Sequence, residues 1–200
     1  MPVFRNQSYA AFLFDMDGTL LDSSAVVERV WRSWADRHGI DSDALLKAMH
    51  GVRAEDTVRR FAKPDMDVAT ENEWILRAEL GDVEGLVPLD GIGMFIGALA
   101  PREWAVVTSA TRDLATVRIG AAKLPIPDVM ITAEDVKRGK PDPEGFLLAA
   151  ERLRVPISDC LVFEDSPAGV KAGRAAGAHV AIVGGHVPEG EGHYAIANYL

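Results

Sequence analysis

Apolar residues are grouped along this chain in two distinct ways. Short continuous runs at Tyr9–Phe14, Trp104–Val107, Val129–Ile131, Cys160–Phe163 and His179–Val183 stop abruptly at polar residues. Runs of this kind suit strands buried on both faces, as in a parallel sheet. Helical spacing occupies the intervals at Leu114–Ala122, Pro143–Leu153 and Pro167–Ala176. The alternation predicts βαβ units, and hence an α/β fold: an open parallel sheet with helices on both faces.

The stretch between the first run and the others reads differently. Val26, Val27, Val30, Trp31 and Trp34 recur at helical spacing, and Leu45, Leu46 and Met49 repeat the pattern. Val58 with Phe61, and Trp74 with Ile75, predict two further helices, and no strand-like run interrupts them. Residues 21–88 are therefore expected to form a small all-helical domain inserted after the first strand, with 1–20 and 89–200 forming the α/β core. Trp31 and Trp34 are read as packing within that insertion.

Composition narrows the function. Apolar residues make up 48% and charged residues 26% of 200, as in an ordinary soluble globular protein, which argues against a disordered chain. Thirty acidic against 21 basic residues give a net charge of −9. That balance argues against nucleic-acid binding through a broadly basic surface. The single cysteine, Cys160, excludes an intramolecular disulfide and a Cys-rich zinc site, and reads as a buried small hydrophobe in a strand. The start, Met1 to Gln7, lacks a signal-peptide pattern, and no apolar run approaches the ~20 residues that span a bilayer. The chain is expected in the cytoplasm, without membrane or nucleic-acid partners.

The candidate chemistry lies where the runs end, because ligands of open α/β sheets bind at the carboxyl ends of the strands. The first run ends in DMDGT, which holds Asp15 and Asp17 with Gly18 permitting a tight turn. A lone pair of this kind is ordinarily a solvated acidic turn, but here an apolar strand feeds straight into it. The second run ends in Thr108-Ser109-Ala110-Thr111 before a helix. Hydroxyls and free N–H groups at a helix start can cradle phosphate; Thr111 is also a natural N-cap, which leaves Ser109 spare. Lys140 sits in the stiff turn Gly139–Pro143, and the run at Leu161 ends in Glu164-Asp165-Ser166-Pro167-Ala168-Gly169. Adjacent carboxylates repel unless a cation is near. Together these groups supply a nucleophile, a proton donor, a phosphate clamp and a hard oxygen site suited to Mg²⁺.

These four motifs in this order, DMDGT, VVTSA, GKPDP and FEDSPAG, resemble the haloacid dehalogenase-like superfamily of phosphotransferases. A helical insertion directly after the first motif resembles the cap of its β-phosphoglucomutase-like subgroup, and WAVVTSATRD with ITAEDVKRGKPDPEGF resembles that subgroup's glycerol-3-phosphatases and sugar-phosphate phosphatases. The resemblance implies a Rossmann-like core and a Mg²⁺-dependent phosphatase acting on a small phosphorylated sugar or polyol. It implies Asp15 as nucleophile forming an aspartyl-phosphate, and Asp17 as general acid and then base. The metal would be held by Asp15, the Asp17 carbonyl and Asp165, with Glu164 as an outer ligand or orienting group. Phosphate would be bound by Ser109, the Ala110 N–H and Lys140.

For the leaving group, His50-Gly51-Val52-Arg53 matches a cap segment of the glycerol-3-phosphatase-like proteins. This suggests Arg53 as a substrate contact with His50 behind it; alternatively, Arg53 solvates a helix start beside Glu55 and Asp56. His186 and His193 are expected at the surface. The same fold also carries phosphohexomutases and non-catalytic binders. The β-phosphoglucomutases, however, have a cap His where Val27 stands and an Arg where Ala54 stands, which favours hydrolysis. Dehalogenases lack the metal-binding acids, phosphonatases have a small residue where Asp17 stands, and an inactive binder would be expected to have lost one of these acids. Family members of this type are often monomers.

Overall fold

A computed structural model of the chain describes residues 1–184, 187, 190 and 192–200. Six parallel strands form the main sheet: β1 (Ala11–Phe14), β2 (Trp104–Val107), β3 (Met130–Ile131), β4 (Cys160–Glu164), β5 (His179–Val183) and β6 (Tyr194–Ile196), in the spatial order β6-β5-β4-β1-β2-β3. Every residue of β1, β2 and β4 is buried, as their uninterrupted apolar runs require. Successive side chains alternate between two cores. On one face Phe12, Phe14 and Phe163 pack with Ile92 and Ile96 of α5 (Ile92–Gly97) and with Ala115 and Ile119 of α6 (Arg112–Ala121). On the other, Leu13 and Val162 pack with Phe146 of α7 (Glu144–Leu153) and Val170 of α8 (Pro167–Ala176). The expected fold class is the observed one.

Four further helices run consecutively between β1 and α5: α1 (Ser24–His38), α2 (Ser42–Met49), α3 (Ala54–Phe61) and α4 (Val68–Leu80). Trp31 and Trp34 are buried edge-to-face at 5.8 Å within them. The expectation of no strand in this stretch needs a correction. A two-residue antiparallel ribbon, Leu21–Asp22 with Val87–Pro88, ties the segment's ends together. A ribbon this short leaves no periodicity to read. The first strand also begins later than its apolar run, since Tyr9 is buried but lies outside β1.

Candidate active site

Register brings the motifs together. Phe14 pairs with Phe163 on one side and with Val106 on the other, so the residues that follow emerge side by side at the carboxyl edge. The Asp15 N–H donates to the Phe163 carbonyl at 3.0 Å, and Gly18 (φ 79°) turns the chain in the left-handed region that glycine favours. Lys140, buried, reaches across from its loop. Its Nζ donates to Asp15 Oδ1 and, at 2.6 Å, to Glu164 Oε1.

Glu164 is fully buried, and both its oxygens are engaged. Oε1 faces Lys140, while Oε2 accepts from the Asp165 N–H, the Ser166 N–H and the Ser166 hydroxyl, each at 3.0 Å. Ser166 in turn caps α8 by accepting from the Gly169 N–H at 3.0 Å. These bonds fit an orienting group better than a direct metal ligand.

The charge balance is uneven. Asp15, Glu164 and Asp165 each offer a carboxylate oxygen, all within 4.8 Å of one another, around a single lysine. Burial, opposed by Lys140 and reinforced by Glu164, pushes Asp15 up to about 7. Burial with the Glu164 and Asp15 charges pushes Asp165 up to about 9. For Lys140, burial alone would lower the pKa, but Asp15 and Glu164 together raise it. Carboxylates that cannot all ionise beside one ammonium, with only oxygen donors on offer, fit a hard divalent cation.

Asp17 faces a partner that no motif predicted. Arg118, on α6 and 4% exposed, bridges both Asp17 oxygens through one nitrogen, Nη1, at 2.9 and 3.0 Å. Arg118 Nη2 lies 3.2 Å from Oε1 of Glu79 on α4, itself 6% exposed, and Trp31 Nε1 donates to that same oxygen at 3.2 Å. A signal for both residues was present. Leu114, Ala115, Arg118 and Ile119 share the buried stripe of α6, and Ile75 and Glu79 share that of α4, so each charge interrupts an apolar face.

The remaining candidates divide. The Ser109 hydroxyl donates to the Gly51 carbonyl at 2.9 Å, and the Ala110 N–H donates to Thr108 Oγ1 at 3.1 Å, so both donors have partners within the chain. Thr111 caps α6 as expected, accepting from the Leu114 N–H. His50 lines the crevice shared by Asp15, Asp17, Ser109 and Asp165, whereas Arg53 lines adjoining grooves. Arg53 Nε donates to Asp56 at 2.8 Å and its Nη1 to the Lys137 carbonyl at 3.4 Å. His50 thus lines the crevice itself, while the i,i+3 carboxylate of Asp56 holds Arg53 at its margin, in grooves that also include Ser109. His193 is exposed, and His186 lies outside the described residues. No helix among the described residues is long and apolar enough to cross a membrane.

Comparison with known proteins shows the family. The family described as haloacid dehalogenase-like hydrolase matches residues 9–177. Hexitol phosphatase A of Escherichia coli (strain K12) is 44% identical over 86% of this chain and 82% of its own. Glycerol-1-phosphate phosphohydrolase 1 of Saccharomyces cerevisiae is 35% identical over 85% of this chain and 72% of its own. The β-phosphoglucomutase of Clostridium difficile, only 19% identical, shares the fold with a TM-score of 0.79 over 96% of this chain and 92% of its own. The chain belongs to the haloacid dehalogenase-like hydrolases. It is an enzyme of that family, a phosphoric monoester hydrolase.

Proposed function

We propose that the protein hydrolyses a small phosphorylated sugar or polyol in two steps, through a phosphoryl group carried on Asp15. The observation that carries this reading is the convergence of Asp15, Asp17, Lys140, Glu164 and Asp165 on the carboxyl edge of the sheet, beneath the helices α1–α4. An Asp15 oxygen attacks phosphorus while the bond to the leaving oxygen breaks. Asp17 gives that oxygen its proton, so a poor alkoxide leaves as an alcohol. Asp17 then takes a proton from water, whose oxygen attacks the acyl phosphate, releasing inorganic phosphate and restoring Asp15. Lys140 holds the nucleophile in place and offsets the charge of the phosphoryl oxygens. Ser109 and the Ala110 N–H bind those oxygens after exchanging their internal partners.

Mg²⁺, held by Asp15, Asp165 and the Asp17 carbonyl with Glu164 orienting the set, would neutralise the dianion. Residues 21–88 act as the cap over this crevice and 1–20 with 89–200 as the core, in a protein that works as a monomer without nucleic-acid or membrane partners. Hydrolysis is favoured over phosphohexomutase chemistry because Val27 and Ala54, both lining the crevice, stand where the mutases that this sequence resembles carry a His and an Arg.

A phosphate-release screen over polyol and sugar phosphates with Mg²⁺ tests the reading. Release is expected from this class, to vanish in Asp15→Asn and to fall by ~10²–10⁴ in Asp17→Asn. Isomerisation of a hexose phosphate without phosphate release would establish the mutase instead.

A further inference from the structure

Glu79 and Arg118 are unused by the four motifs, yet both face the crevice beside Asp17. Their environment is costly. Arg118 is 4% and Glu79 6% exposed, and among the described residues Arg118 Nε and Nη2 are buried without a hydrogen-bond partner. The Nη2–Glu79 contact at 3.2 Å is an ion pair lacking hydrogen-bond geometry. Buried donors left unmade are destabilising. Nothing in the packing of α6 requires that cost, since an apolar side chain at 118 would continue the stripe of Leu114, Ala115 and Ile119. Pairing with Asp17 occupies Nη1, which leaves Nε, Nη2 and the Glu79 carboxylate available to a ligand.

The chemistry of the pair defines that ligand. Arg118 offers only donors and Glu79, when ionised, only acceptors. An alcohol hydroxyl can accept from the first and donate to the second at once. Arg118 also bridges Asp17, the proposed proton donor to the leaving oxygen, so hydroxyls recognised by the pair lie next to the carbon bearing the phosphate. Elsewhere the crevice mixes apolar walls, Val27, Met49, Val52 and Leu114, with the polar Ser23 and His50. We infer that Glu79 and Arg118 form the subsite for hydroxyl groups of the leaving alcohol and select polyhydroxy over aryl or alkyl phosphates. The inference rests on the phosphatase reading above.

The test compares kcat/KM for D-glucitol 6-phosphate with that for p-nitrophenyl phosphate, whose leaving group carries no further hydroxyl. In Glu79→Gln the polyol-to-aryl ratio is expected to fall about 10- to 100-fold, mainly through KM, as for a lost hydrogen bond to a charged group. Equal losses on both substrates would reduce the pair to a strut between α4 and α6 and overturn the inference, and so would an unchanged ratio. Should Glu79→Gln not fold, Arg118→Lys is read in the same way, since it keeps a charge for Asp17 and removes Nε and Nη2. Failure of the phosphatase reading is separate and visible in the unaltered protein, which would then release phosphate from neither substrate.

Discussion

At the residue scale, the acid cluster sets a definite pH dependence. Asp15 at about 7 and Asp165 at about 9 hold protons in the folded chain that ordinary aspartates, near 3.8, give up on unfolding. Their contribution to stability is complete below about 3.8 and is lost as pH rises through about 7 and then about 9. A divalent cation displaces these protons, so its affinity grows over the same window, by up to about tenfold per pH unit for each proton released. Thermal unfolding with and without Mg²⁺ should therefore show an increment in Tm that widens from about pH 6 to about pH 9. A Tm that ignores Mg²⁺, or an increment that shrinks with pH, would exclude these carboxylates as the ion's ligands.

At the element scale, the start of α8 is where local preference and tertiary need conflict. Alanine normally outranks glycine inside a helix by about 1 kcal/mol. At Gly169, however, an added Cβ would land on the Glu164 carboxylate that Lys140 and Ser166 hold. Overpacking of this kind costs about 1–3 kcal/mol, so the helix gain is outweighed and the sign reverses. Gly169→Ala should lower stability in urea unfolding and, by displacing Glu164, release Lys140 and reduce phosphate turnover. A variant that is both more stable and fully active would mean that the carboxylate has room to move.

The same contrast explains which elements were legible. Asp15 is readable because an apolar run stops at it, and the Pro167–Ala176 helix because its start carries Ser166 and Pro167. The strand Tyr194–Ile196 is three residues with only partial burial, so neither alternation nor a continuous run marks it. Arg118 and Glu79 are hidden for another reason. Each lies in the last turn of its helix, where a charge is ordinary, and only the apolar stripe that it interrupts sets it apart. Arg53 shows the converse, since a motif resemblance suggests a substrate contact while its i,i+3 carboxylate, visible in the sequence, ties the side chain to Asp56.

At the scale of the whole molecule, the net charge of −9 and the affinity expected for a dianion are compatible because acids are concentrated where a cation would neutralise them. Access to that place depends on α1–α4. Across the crevice Ser109 holds the Gly51 carbonyl, Arg53 holds the Lys137 carbonyl and Arg118 pairs with Glu79. Phosphate that takes up the Ser109 hydroxyl must first release Gly51. The neutral Ser109 bond is worth only about 0.5–1.5 kcal/mol and the charge-assisted Arg53 bond about 1.5–3 kcal/mol, and opening would return the ion pair to solvent rather than strand it. The ribbon of Leu21–Asp22 with Val87–Pro88 joins the segment's two ends, so it is the natural hinge. Cys160 simplifies the measurement. It is fully buried and its thiol is pushed up to about 12 by burial, so dye chemistry at neutral pH is confined to introduced cysteines. With dyes on Lys63→Cys in the helical segment and Lys171→Cys on α8, both exposed positions, single-molecule energy transfer should show two populations in the free protein. Mg²⁺ with inorganic phosphate should draw them toward the shorter distance. One narrow population, unmoved by ligand, would mean that substrate enters without separation of α1–α4 from the sheet.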